Sequence, residues 1–178
     1  MGRWVGGRCG RSVGRRRSSS SVGRRPRRAL SDCRRPCSPK DGPVRFVGCY
    51  LSGLLAQSPI ADETMRAWMK SPDEFTREMG YGILGARLKN DPDSISDADA
   101  EKALLTIEKE IHRSPNWARY AMNSALISIG IFKPALREKA IEAAKRIGKV
   151  EVDHGETYCK TPDAVPAIEK ASKRKRCP

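Results

Sequence analysis

From Val44 onward apolar residues recur at spacings of three and four, so the chain reads as a succession of amphipathic helices. Residues 45–57 form a short apolar helix weakened by Gly48 and Gly53. Further helices are predicted over 60–70, 72–89, 97–113, 115–129, 134–147 and 162–175. A recurring punctuation separates them. Ser58-Pro59, Ser71-Pro72, Ser114-Pro115 and Thr161-Pro162 each set a capping hydroxyl before a proline suited to a first helical turn. Ser71 to Glu74 also has the form of a capping box, with Glu74 reaching back to the cap amide. Ser96 opens the helix over 97–113, and Gly148 closes the one over 134–147. Val150-Glu151-Val152 is the one candidate strand. Helices with short connections favour antiparallel neighbours. Stacked pairs of about 40 residues make a HEAT-like α-solenoid. The expected fold is therefore all-α, a HEAT-like solenoid of antiparallel helix pairs.

The helix over 115–129 organises the rest. Ser114 is its expected cap, Pro115 its first residue and Gly130 its left-handed stop. Most of its residues are apolar, so burial on more than one side is expected. Asn116, Arg119 and Asn123 interrupt that pattern on a single stripe. A buried Asn without a partner costs roughly 1–3 kcal/mol. Two fates are open to the stripe: an internal hydrogen-bond network, or a groove that binds something polar.

Charge changes the picture of the first 43 residues. Residues 1–48 hold 14 Lys/Arg and 2 Asp/Glu, whereas the other 130 hold 21 and 19. The net charge of +14 thus resides mostly in the head. Residues 1–43 are rich in Gly, Ser, Arg and Pro and are expected to be a disordered segment, since they cannot bury enough apolar surface to offset chain entropy. Such a head suits a basic arm on phosphates, an organellar transit peptide, or coding sequence foreign to the domain that follows. The second domain, 44–178, is the helical repeat. No apolar run is long enough to span a membrane, and no secretory core precedes the six cysteines. Reduced thiols and a cytoplasmic location are expected.

Other constellations are weaker. Cys33 and Cys37 have a zinc-compatible spacing without a second pair nearby. Asp153, His154 and Cys159 fit no zinc pattern, and Asp153 and His154 are expected to hydrogen-bond their own loop with Gly155 at a positive-φ turn. No metal and no cofactor is expected. Trp117, in a first turn, suits stacking on a sugar or base, or packing on the next helix. The chain ends on the basic run Lys173 to Arg176.

The run Ile111-His112-Arg113-Ser114-Pro115-Asn116-Trp117-Ala118-Arg119-Tyr120-Ala121-Met122-Asn123 resembles the DNA alkylation repair family of HEAT-like proteins. The run from Ile147 to Ala164 resembles it too, and the likeness extends over about residues 47–175. The resemblance implies a superhelix with a concave, DNA-facing groove, and N-glycosidic removal of alkylated purines without base flipping. It implies contacts to duplex DNA phosphates, with Arg77, Arg119, Trp117, Asn123, Lys149 and Lys160 as DNA-binding candidates. A helical N-terminal half of the family is expected to be missing or replaced. The family's catalytic Trp and Asp slots fall at Val44 and Gly48, and a later aromatic slot at Ser124, so no catalytic residue is assigned. Whether the chain is an enzyme stays open. The expected function is a divergent or truncated DNA-binding relative; the alternative is a HEAT-like protein-interaction scaffold. For Arg77, phosphate pairing competes with an ion pair to Asp73.

Overall fold

The structure, a computed structural model, describes residues 42–155 and 159–174. The segment expected to be disordered lies outside the described residues, except that Gly42 and Pro43 open the first helix. Cys33, Cys37 and the last two residues of the basic run also lie outside them.

Seven α-helices follow one another among the described residues: α1 Gly42–Leu55, α2 Ala61–Trp68, α3 Glu74–Asn90, α4 Asp97–Glu110, α5 Asn116–Phe132, α6 Arg137–Ile147 and α7 Ala164–Arg174. No strand occurs among them; Val150-Glu151-Val152 is irregular. The helices α1, α3, α5 and α7 lie side by side in one layer, and α2, α4 and α6 back them in a second. This is the HEAT-like arrangement of helix pairs. Its centre is α5, which packs against α3, α4, α6 and α7. Hence Ala118, Met122, Ala125, Leu126 and Ile129 are all fully enclosed, with Leu84, Ile107 and Ile168 around them. None of these helices is long and apolar enough to cross a membrane.

The Ser-Pro pairs act differently from expectation. Ser58 Oγ donates to the Leu55 carbonyl at 2.8 Å, and Ser114 Oγ to the Glu110 carbonyl at 2.9 Å. Each of these two serines closes the helix before it instead of capping the one after. Proline holds the preceding residue extended, as at Ser114 with ψ 151°, which ends one helix and delays the next. Pro115 is accordingly the cap residue of α5, with ψ 161°. At α3 the cap is Asp73, whose carboxylate accepts from the Thr76 amide at 2.8 Å and the Thr76 hydroxyl at 2.7 Å. Those bonds hold the Asp73 carboxyl below its usual range. Ser96 does cap α4, accepting from Asp99 N at 3.1 Å.

Two glycines behave differently from each other. Gly148 leaves α6 at φ 69°, the turn its sequence position suggested. Gly130 does not stop α5, which runs on to Phe132. A Cβ there would stand 2.6 Å from Cδ1 of Ile168, so this glycine permits the close approach of α7. On the second layer, Arg66–Asp99 ties α2 to α4, while Lys139–Glu101 and Arg146–Glu108 tie α4 to α6. Such exposed pairs stabilise the fold little, because water screens the charges.

Candidate nucleic-acid interface

The polar stripe of α5 is spent on the segment between α6 and α7. Asn116 Nδ2 donates to the Asp153 carbonyl at 2.7 Å, and its Oδ1 accepts from the Asp153 amide at 2.8 Å. Arg119 donates to the Glu151 carbonyl at 2.8 Å and the Ser114 carbonyl at 3.1 Å. Asn123, only 2% exposed, donates to the Pro162 carbonyl at 2.9 Å. Residues 149–155 and 159–163 lie outside any helix or strand, and these side chains of α5 take up some of their backbone groups. The segment is a strap laid across α5. Within it, Gly155 sits at φ 60° with its amide donating to Asp153 Oδ1 at 2.8 Å. His154 Nε2 lies 2.9 Å from Thr161 Oγ1. Both are the loop bonds the sequence suggests, and among the described residues no three metal-ligand side chains converge.

Strap, α5, the end of α6 and the start of α7 enclose an open concavity of about 1190 Å³. Arg119, Asn123, Lys149 and Lys160, four of the six DNA-binding candidates, line it. Lys145 lines it as well, a cation that sequence reasoning passed over. Its signal was a lysine in the last turn of α6, two residues before the helix ends at Ile147. Lys149 Nζ lies 3.0 Å from Glu151 Oε1, and this hydrogen bond, then the Lys149 charge, lowers the Glu151 carboxyl below its usual value. Among the described residues Lys145 and Lys160 have no ion-pair partner.

The other two candidates stand elsewhere. Arg77 is turned inward, its side chain 17% exposed. It donates from Nε to the Ser71 carbonyl at 2.7 Å and from Nη1 to Ser114 Oγ at 3.3 Å. Its acid is Glu110, at 3.5 Å, not the expected Asp73, which is occupied in capping α3. Trp117 packs edge-on with Tyr120 and His154, with ring centroids 6.5 and 5.7 Å away. Glu74 does not close a local capping box; it accepts from the Trp117 amide at 2.7 Å.

Gly48 is buried on α1. A Cβ built on it would stand 3.0 Å from Phe75 Cε2. Any side chain at this position must therefore displace the Phe75 ring of α3.

Residues 45–164 match the model of the DNA alkylation repair enzyme family. An uncharacterized protein of Listeria innocua serovar 6a is 42% identical over 124 residues, 70% of this chain and 53% of its own length. One of Listeria monocytogenes serovar 1/2a is 40% identical over the same shares. The chain thus spans about half the length of the curated relatives it matches. Among solved structures it is similar, at TM-score 0.67 and 29% identity, to a protein of a family related to the HEAT-like repeat DNA glycosylases with affinity for branched DNA structures. That likeness covers 74% of this chain and 57% of the other. With its two layers of paired helices and its match over residues 45–164, the chain belongs to the DNA alkylation repair enzyme family.

Proposed function

We propose that the chain binds DNA through the sugar-phosphate backbone, branched forms included, and does not excise bases. The observation that carries this is the cluster of Lys145, Lys149 and Lys160 around one open concavity. Cations on a concave rim meet phosphates without reading bases. Family membership and the branched-DNA affinity of the structural relative support the same direction. Residues 44–178 form the binding domain in this reading, and residues 1–43 a basic arm that adds sequence-independent phosphate contacts. A cytoplasmic location goes with it. The argument against excision is Gly48: glycine has no carboxylate to stabilise positive charge on a sugar.

The test is a binding titration of the full chain on duplex and four-way-junction DNA in rising salt, beside an assay for release of alkylated purines. Binding whose log-affinity falls with log-salt, without base release, is expected. Absence of binding at low salt, or robust release, overturns the reading.

A second reading, a scaffold for a protein partner, is favoured by one feature. Tyr50 and Leu54, one turn apart on α1, are each 65% exposed. Exposed apolar patches mark interaction surfaces.

A further inference from the structure

Lys149 and Lys160 stand near opposite ends of the strap, and both are exposed. The described residues of the strap, 149–155 and 159–163, have no regular secondary structure, so helix or strand geometry does not fix where the two cations stand. The fixing comes from α5. Asn116 grips Asp153 through both its amide and its carbonyl, Arg119 grips the Glu151 carbonyl, and Asn123 grips the Pro162 carbonyl. These anchors fall two and four residues beyond Lys149 and two beyond Lys160. Asn123 is too enclosed to reach a phosphate of a bound duplex.

We infer that Asn116, Arg119 and Asn123 are positioning residues for nucleic-acid binding, which hold the strap in the arrangement that presents Lys149 and Lys160 to phosphates. The inference rests on the phosphate-backbone reading above, and it gives Arg119 and Asn123 a supporting role in place of direct contact. The physical ground is preorganisation. A loose strap loses conformational entropy when DNA orders it, and affinity falls by that amount; a strap already fixed by α5 does not.

Binding of the full chain to a labelled four-way junction, followed by fluorescence anisotropy well below each variant's unfolding temperature, tests this. K149A/K160A is expected to weaken binding by about 8-fold for each phosphate it leaves unneutralised, near ~0.1 M salt. N116A removes no charge, yet it is expected to weaken binding by a similar factor and to flatten the dependence of log-affinity on log-salt. Added to K149A/K160A, N116A is expected to change nothing more, because both act through the same phosphates. R119K keeps the positive charge but cannot span the Glu151 and Ser114 carbonyls with one ammonium, so it too should weaken binding. If N116A does not fold, R119K with the same lysine background decides.

Wild-type affinity and salt slope in N116A and R119K overturn the inference. So does a loss from N116A that adds in full to that of the lysines, as a general loosening of the fold would give. A K149A/K160A variant that binds like wild type removes the phosphate reading of the rim and this inference together. A weakened K149A/K160A beside an unaffected N116A removes the inference alone.

Discussion

Glu74, in the first turn of α3, accepts a hydrogen bond at 2.7 Å from the backbone amide of Trp117, 43 residues further along. Pro115, the cap residue of α5, makes no side-chain cap bond, so a free amide of that first turn finds its partner on the neighbouring helix. The carboxylate also suits the positive end of the α5 dipole. E74A is expected to lower stability by about 1 kcal/mol, as loss of a cap does. E74Q, which keeps an acceptor, is expected to lose less. Urea unfolding measures both; an E74A midpoint equal to wild type would show that the bond contributes nothing.

Glycines on α1 and α3 should respond oppositely to alanine. A Cβ at Gly80 would lie 2.5 Å from Met69 N and 2.7 Å from the Trp68 carbonyl carbon, both backbone atoms of the α2 end. Helix propensity favours alanine by about 1 kcal/mol. Overpacking against backbone costs roughly 1–3 kcal/mol and wins. G80A should therefore lower the thermal midpoint. At Gly53 nothing lies within 4 Å, so G53A should raise stability by about 0.5–1 kcal/mol. Thermal melts of the two variants side by side check the pair.

Tyr81 governs behaviour in alkali. The residue is 1% exposed, and its hydroxyl has no hydrogen-bond partner among the described residues. Burial, followed by the charge of Glu110, pushes the phenol from 10.0 up to about 12, against the opposing pull of Arg77. An acid with a raised folded value binds its proton more tightly when folded. The stability it carries is whole below pH 10 and is lost as pH rises through about 12. Y81F should flatten stability over that window. At neutral pH it removes an unpaired hydroxyl and should stabilise by about 1 kcal/mol. Urea midpoints across that alkaline range distinguish this from a Y81F profile parallel to wild type.

Glu151 competes with DNA for Lys149. Its carboxyl is lowered by the Lys149 hydrogen bond and charge, so the pair persists above the usual carboxylate range and opens as pH falls through the lowered value. E151Q should strengthen DNA binding at neutral pH by freeing Lys149 and removing a charge that repels phosphate. Anisotropy of E151Q against wild type checks it; unchanged or weaker binding would place Lys149 away from the bound DNA.

The helices were legible because α5 and its neighbours carry long apolar patterns between strong breakers, and period and punctuation agree there. The starts were less legible. Ser71 and Ser114 have the form of caps, but the prolines after them hold the chain extended. The Ser114 hydroxyl then turns back to the preceding helix, and that of Ser71 accepts from the Asp73 amide ahead of α3. Gly130 has the form of a stop, yet its role is close packing on Ile168, which only tertiary structure defines. The stripe Asn116, Arg119, Asn123 was visible as an anomaly. Most of its partners are backbone groups 32 to 39 residues away, and side-chain identity does not encode those. For Arg77 the four-residue spacing to Asp73 is visible in sequence, whereas the approach of Glu110 from α4 is not.

The most direct measurement is the salt dependence of junction binding by the full chain and by K145E/K149E/K160E. The basic head is common to both, so the difference isolates the rim. If the three lysines neutralise phosphates, the triple variant binds more weakly, with a slope shallower by about 0.9 for each phosphate it no longer neutralises. Identical slopes and affinities for the two proteins would mean that DNA does not meet this concavity.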